Sequence, residues 1–138
     1  QKSTKWARVY EGVTMGLFDA LLGNASEINP KELESNVLPL LIEGEKVEHA
    51  YKLLRDVICF TNKRLILVDK QGMTGKKQEI LSVPYSKIVK FSKENAGRMD
   101  LDAEIKIWIH GEALPMTFQF HKNANLNGIY KVLSDYIL

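Results

Sequence analysis

The sequence contains a single cysteine, four prolines and no long apolar run. The lone cysteine, Cys59, cannot form an intramolecular disulfide, which is compatible with a reducing compartment, and we expect a cytoplasmic protein. The longest apolar stretches, within residues 37–42 and 65–68, span only a few residues. A transmembrane helix needs roughly 20 apolar residues, so these stretches cannot supply one.

Excess charge is also lacking over most of the chain. The formal net charge of +2 arises in residues 1–14, where Lys2, Lys5 and Arg8 outnumber Glu11, and the rest of the chain has equal numbers of bases and acids. A neutral body argues against non-specific attraction to nucleic acid or to an anionic membrane, so we expect neither as a partner. Because residues 1–14 show no periodicity, we interpret them as an upstream extension and residues 15–138 as one domain.

Recognisable catalytic and metal-binding motifs are missing as well. The chain has no G-x-S-x-G, H-E-x-x-H or C-x-x-C pattern, and Cys59 lies between apolar neighbours, as a core thiol does. The three histidines fall on separate predicted strands. Asp100, Asp102 and Glu104 alternate at the start of a strand but lack the spacing of a calcium loop. We therefore predict a protein that is not an enzyme and has no metal site and no cofactor.

Residues 15–42 have the periodicity of helices. An apolar face at Leu17, Phe18, Leu21 and Leu22 predicts a first short helix. A second helix is predicted to begin at Pro30 with Asn29 as its cap, and to end or kink before Pro39. Its predicted buried face consists of Leu33, Val37, Leu38 and Leu41.

Between residues 43 and 121 the period changes to two, which predicts about seven short antiparallel strands. In the first strand the residues predicted to share one face are Val47, His49, Tyr51 and Leu53. The segments 56–61 and 64–69 are apolar on both faces, which predicts strands that are covered on both sides or lie at an interface. Asn62 and Lys63 join these two strands as a tight hairpin turn.

The last part of the chain alternates cleanly and then becomes helical. The residues predicted to face the core are Ile105, Ile107 and Ile109 in one strand and Leu114, Met116, Phe118 and Phe120 in the next. Residues 123–138 predict a closing amphipathic helix capped by Asn123. Its apolar stripe consists of Leu126, Ile129, Tyr130, Leu133, Tyr136 and Ile137. The predicted fold is mainly β (α+β), a partly open seven-stranded antiparallel barrel capped by a C-terminal helix and preceded by N-terminal helices.

One long segment carries a more specific resemblance. CFTNKRLILVDKQGMTGKKQEILSVPYSKIVKFSKENAGRMDLDAEIKIWI, residues 59–109, resembles the signature of the bacterial pleckstrin-homology-like domain family. The matching features are the TNKRLILVD hairpin, the GKK loop, VPYSKI and the ENAG…DLDAEIKI corner, in this order. The resemblance implies a pleckstrin-homology-like barrel. It also implies cyclic homo-oligomeric rings, pentameric for single-domain chains, with a hydrophilic surface where the strands of neighbouring protomers meet.

The first functional hypothesis is therefore a protein-interaction module whose protein partner the sequence does not name. Apolar strands in excess of what one small barrel buries, together with an outward Trp108, favour assembly. Arg64 begins an apolar strand, so we expect it to pair with a carboxylate, for which the candidates are Asp56, Asp69, Glu94 and Asp102. The candidate protein-interaction residues are Arg64, Glu94, Asp102 and Trp108.

The alternative hypothesis is a domain that binds anionic ligands or membrane surfaces through Lys70, Lys76 and Lys77. Many eukaryotic pleckstrin-homology domains hold phosphoinositide headgroups with bases between their first two strands. The corresponding turn, residues 54–56, contains only one base, Arg55, next to Asp56. Steep weakening by salt would distinguish phosphate binding from a packed protein contact.

Overall fold

The computed structural model describes residues 30–53, 56–71, 77–95, 102–121 and 125–138. Two compact units divide the chain after Ser82. The predicted extension, the first predicted helix and the Asn29 cap lie outside the described residues, as do positions 72–76 and 96–101.

The first unit begins with helix α1, Pro30–Asn36, followed by a 3-10 turn over Leu38–Leu40. The helix ends before Pro39, as predicted, because proline cannot continue the helical hydrogen bonding. Leu33 and Val37 are fully buried, and Leu38 and Leu41 pack against the same cluster, so the predicted buried face is confirmed.

Four strands form the sheet of the first unit, in the order β1-β2-β3-β4. Their bounds are Val47–Lys52, Val57–Thr61, Arg64–Gln71 and Lys77–Pro84. β1 and β2 are antiparallel, as are β2 and β3. Only Asn62 and Lys63 separate β2 from β3, which confirms the predicted two-residue hairpin.

The predicted alternation holds for Val47 and for Leu53, just after β1, which are both buried, but it is wrong for His49 and Tyr51, because the strand contains an irregularity. Val47 pairs with Thr61 and His49 with Phe60, so one residue of β1 is extra at this point. An extra residue reverses the phase of the alternation beyond it. Ala50 is therefore buried with Val47, whereas His49 and Tyr51 are half-buried and their rings stack at 6.4 Å.

β2 and the first half of β3 are buried on both faces, as predicted. All five residues of β2 are buried, and so are Leu65 through Val68 in β3. One face, with Cys59 and Ile66, belongs to a cluster completed by Leu33, Val37, Val47, Ala50, Val57 and Val68. These apolar strands are already buried within a single chain, so the expectation that they provide excess surface for assembly is wrong.

The second unit contains a three-stranded sheet in the order β5-β6-β7. A 3-10 turn, Tyr85–Lys87, precedes β5 (Ile88–Glu94), which is followed by β6 (Asp102–Ile109) and β7 (Met116–His121). Both pairs are antiparallel, and alternation along β6 and β7 buries Ile105, Ile107, Phe118 and Phe120 as predicted. Leu114 was expected in the core but is 81% exposed, because it lies in the turn before β7.

Helix α2, Leu126–Ile137, closes the second unit. The capping residue is Asn125, whose side-chain oxygen accepts the Gly128 N–H at 3.1 Å; the predicted cap, Asn123, lies outside the described residues. Leu126, Ile129 and Leu133 of the predicted stripe are buried, together with Val132, which was not predicted. The helix packs on the second sheet through Tyr130 and Phe91, whose rings lie 5.0 Å apart. Seven strands in two antiparallel sheets and a C-terminal helix match the predicted fold class.

Candidate protein-interaction surface

Arg64 and Glu45 form a buried ion pair at the start of β3. The Glu45 carboxylate accepts Arg64 Nε–H at 2.9 Å and a second guanidinium N–H at 3.0 Å. The guanidinium also donates to the Leu40 carbonyl and to the Ser82 hydroxyl, each at 2.9 Å. The Glu45 side chain is fully buried and that of Arg64 is 24% exposed, so the guanidinium holds together three segments of the first unit.

The β2–β3 turn is held to the same segment. The Thr61 hydroxyl donates to Glu45 at 2.7 Å and accepts the N–H groups of Lys63 and Arg64. Asn62 accepts the Lys46 N–H at 2.8 Å and donates from its side chain to the Gly44 carbonyl at 2.9 Å. These contacts explain why a polar turn interrupts two apolar strands.

Burial and hydrogen bonding have opposite effects on the pKa of Glu45. Desolvation by burial favours the neutral acid and would raise its pKa. Hydrogen bonds from Arg64, Thr61 and the Ile42 N–H, together with the positive charge of Arg64, favour the carboxylate more strongly and lower the pKa below its ordinary value. The group is therefore a charged carboxylate at neutral pH.

The partner of Arg64 thus differs from the four carboxylates considered from the sequence. Glu45 is 19 residues away from Arg64, and its position depends on how residues 38–46 fold back onto β2 and β3. Three nitrogens of the guanidinium have partners within the first unit. A contact between Arg64 and another protein stays a prediction.

The second sheet presents a polar face opposite the one that carries Phe91, Ile105 and Ile107. We call it the outer face; the residues on it whose side chains the structure describes are Lys90, Ser92, Glu94, Glu104, Lys106, Trp108, Thr117 and Gln119. The register places them in three rows across the strands, because paired residues on one face lie directly opposite each other. All eight are exposed or half-buried.

Trp108 and Lys90 form the first row. They are paired across β5 and β6, and the Lys90 ammonium lies 4.8 Å from the centre of the Trp108 ring. This is within the range of a cation–π interaction, which favours a fixed orientation for both side chains. The predicted outward position of Trp108 is realised, with a lysine above its ring.

The other two second-unit candidates lie toward the opposite end of the same sheet. Glu94 is the exposed last residue of β5 and pairs with Glu104 of β6. Asp102 is the first residue of β6, where its backbone pairs with that of His121. Glu94 and Asp102 therefore lie near each other on the neighbouring strands β5 and β6, whereas Trp108 lies near the other end of β6 and Arg64 belongs to the first unit.

The lysines of the alternative hypothesis fall at the end of β3, at the start of β4 and between these two strands in the sequence. Lys70 lies near the end of β3, where its backbone N–H donates to Asp56 at 2.9 Å, and Lys77 is the exposed first residue of β4. Lys76 lies outside the described residues. Of these three lysines, the described residues therefore include one exposed base, Lys77.

Within the described ranges, no group of three or more histidine, cysteine, aspartate or glutamate side chains is placed to hold a metal ion. Cys59 is buried in the core of the first unit, as predicted. None of the helices in the described part of the chain is long and apolar enough to cross a membrane.

Sequence reasoning missed two important residues, Glu45 and Lys90. No sequence pattern around Glu45 indicates that it pairs with Arg64, because Arg64 lies 19 residues away in the chain. Lys90 could have been found from register, because aligning β5 against β6 by their apolar positions places it opposite Trp108.

Comparison with known sequences places the chain in a family. The model described as Bacterial PH domain matches residues 16–137. The uncharacterized protein YjqA of Bacillus subtilis (strain 168) is 55% identical over 121 residues, which cover 87% of this chain and 97% of YjqA. YozO of the same organism, also uncharacterized, is 33% identical over 89% of this chain and 98% of its own length.

Solved structures agree with this relationship. A pleckstrin homology domain from Shewanella amazonensis SB2B, determined at 1.99 Å, is 46% identical and superimposes with a TM-score of 0.72, covering 89% of this chain and 99% of that one. A protein with a pleckstrin-homology domain from Shewanella loihica PV-4 is 45% identical, with a TM-score of 0.69 and coverage of 84% and 99%. With its two antiparallel sheets and closing helix, the chain belongs to the bacterial pleckstrin-homology domain family.

Proposed function

We propose that this chain is a non-enzymatic protein-interaction module that assembles into a closed ring of identical copies and offers one polar surface per copy to a partner protein. The observation that carries the proposal is the Lys90–Trp108 pair on the outer face. Tryptophan is enriched among the residues that dominate binding energy at protein interfaces. A cation held over its ring adds a charge that a partner can recognise.

The chemistry of the described residues favours binding over catalysis. A catalytic site brings a nucleophile and a base within hydrogen-bond reach of each other. Cys59 is buried in a strand, His49 stacks on Tyr51, and His110 is exposed in a turn. None of these arrangements provides such a pair among the residues described.

A ring requires two different surfaces on each copy, because neighbours in a cyclic assembly meet head to tail. Exposed apolar side chains occur in both units. Leu40 and Ile42 form what we call the first patch, and Val89 and Leu114 form the second patch. The members of the second patch lie at one end of their sheet, since the His110 N–H donates to the Lys87 carbonyl at 2.8 Å beside the β6–β7 turn. In the proposed ring the first patch of one copy packs on the second patch of the next.

Gel filtration with light scattering at micromolar concentration tests the ring. We expect the wild-type protein to have the mass of more than two copies. Ile42→Asp and Leu114→Asp should each reduce that mass, because a charge would be buried at the contact. Leu138→Asp is the matched control, since Leu138 is 94% exposed, lies outside both patches and should leave the mass unchanged.

A wild-type monomer would overturn the ring. A clean dimer would also overturn it, because two copies are explained by one two-fold contact, but the interaction module would stand. Affinity capture from the source cell tests the surface itself. A specific partner should be retained by Leu138→Asp and lost with Trp108→Ala, and equal capture by both variants would contradict the assignment of the outer face.

A further inference from the structure

The charges on the outer face are segregated along the strands. Lys90 lies in the first row beside Trp108, and Lys106 lies in the second row between Ser92 and Thr117. The third row contains two acids directly opposite each other, Glu94 and Glu104. Two bases therefore lie toward one end of these three rows and two acids at the other, so the charges of the three rows sum to zero.

The two acids of the third row repel each other. Like charges directly opposite on neighbouring strands destabilise a sheet. Glu104 accepts only a long contact, 3.5 Å, from the Gln119 amide. Neither Glu104 nor Lys106 forms an ion pair with any part of the chain that the structure describes. A base supplied from outside the chain would relieve this repulsion.

Three rows with bases at one end and acids at the other are complementary to a second copy of themselves. Rotation by 180° about an axis that lies in the interface and runs across the strands places the base end of one copy over the acid end of the other. If the axis passes between the second and third rows, Lys106 of each copy faces Glu104 of the other. We propose that the outer face pairs with the outer face of a second copy of this chain through these reciprocal Lys106–Glu104 contacts.

The geometry of sheets supports this arrangement. Glu104 and Lys106 are two residues apart on β6, so their side chains leave the same face about 7 Å apart along the strand. Sheets that stack face to face keep their strands roughly aligned, about 30° apart, so antiparallel copies of β6 can lie over each other. Glu94, at the level of Glu104, adds a second carboxylate near the incoming Lys106.

The pairing of two copies is a further property beyond the proposed function. It rests on that function only because it uses the same outer face that we assigned to a partner protein. Pairing and partner binding would then exclude each other. Because exposed ion pairs each contribute little, a single pair of copies associates weakly. Two rings would meet through one outer-face contact per copy, so a ring would strengthen the association by multiplying these weak contacts.

Charge reversal provides a sharp test. Positions 104 and 106 of the two copies contribute four side chains to the contact. All four are acids in the Lys106→Glu variant, and all four are bases in the Glu104→Lys variant. We expect each variant alone to self-pair at least tenfold more weakly than wild type in sedimentation velocity. A mixture of fluorescently labelled Lys106→Glu with unlabelled Glu104→Lys should regain pairing, because each supplies the charges that the other needs. Lys87→Glu and Glu112→Lys, exposed positions outside the outer face, are the matched charge controls.

The outcomes separate the pairing from the ring. If the wild type forms single rings that do not associate into pairs of rings, and the mixture of variants does not associate either, the pairing is overturned and the ring stands. Single copies that pair, with the mixture regaining pairing, would support the inference and overturn the ring. If both reversals pair as tightly as wild type, the outer face is not the contact. Thermal melts of all variants keep the test valid, since a variant that unfolds is replaced by Lys106→Gln or Glu104→Gln.

Discussion

The guanidinium Nε of Arg64 lies 2.9 Å from a carboxylate oxygen of Glu45, and the Glu45 side chain has no exposed surface. This pair joins the turn before β1 to the β2–β3 hairpin. A buried carboxylate without its cation is costly, because neither water nor another charge replaces the lost partner.

Arg64→Ala should therefore lower the free energy of unfolding by about 3 kcal/mol, as expected when one partner of a buried pair is removed. Urea denaturation at pH 7 measures the effect. Lys63→Ala is the matched control, since Lys63 is the exposed neighbour in the same turn and surface substitutions usually change stability by less than about 0.5 kcal/mol. Equal effects of the two substitutions would show that the pair contributes nothing specific.

The same carboxylate predicts a dependence of stability on pH. The pKa of Glu45 is lowered in the folded protein from an ordinary value of 4.5. A lowered folded-state pKa contributes stability that is fully present above the unfolded pKa and is lost as the pH falls through the folded pKa. The stability difference between wild type and Glu45→Gln should thus be largest at neutral pH and shrink below pH 4.5. A difference that grows on acidification would contradict the assigned direction.

Much of the fold could be predicted from the sequence because its signals are local. The alternation of β6 and β7, the Asn62–Lys63 hairpin and the end of α1 before Pro39 all depend on neighbouring residues. The irregularity in β1 could not be predicted, since both phases of the strand contain residues that can be buried. Its cause becomes visible only when Val47 and His49 are aligned with β2.

The candidate site was less predictable for a physical reason. The partner of Arg64 depends on a segment that folds back over 19 positions, and no periodic pattern reports such a contact. The position of Trp108 followed from alternation, but the position of Lys90 above its ring depends on the register between β5 and β6, which the sequence does not state. A surface formed by several strands cannot be predicted from the sequence of one strand, because it depends on the register between them.

Helix α2 provides a test of local structure. Asn125 caps the helix by accepting the Gly128 N–H at 3.1 Å, and Asn125→Ala should cost about 1 kcal/mol by leaving that group without its partner. Asn127→Ala is the matched control, since Asn127 is exposed within the helix and alanine has the higher helix propensity there. Thermal denaturation should show a lower midpoint for the first variant and an unchanged or higher one for the second. A reversed order would assign the cap to another residue.

The final prediction concerns anionic membranes. Of Lys70 and Lys77, the two lysines of this group that the structure describes, only Lys77 is exposed, and residues 15–138 carry no net charge. Simultaneous replacement of Lys70, Lys76 and Lys77 by alanine should therefore leave both the melting temperature and the oligomer mass almost unchanged. In co-sedimentation with liposomes that contain phosphoinositide, the wild type and the triple variant should both stay in the supernatant at physiological salt. Binding by the wild type that the triple variant loses, and that weakens steeply as salt is added, would favour the anionic-ligand alternative over the interaction module, because release of counterions is the signature of phosphate contacts.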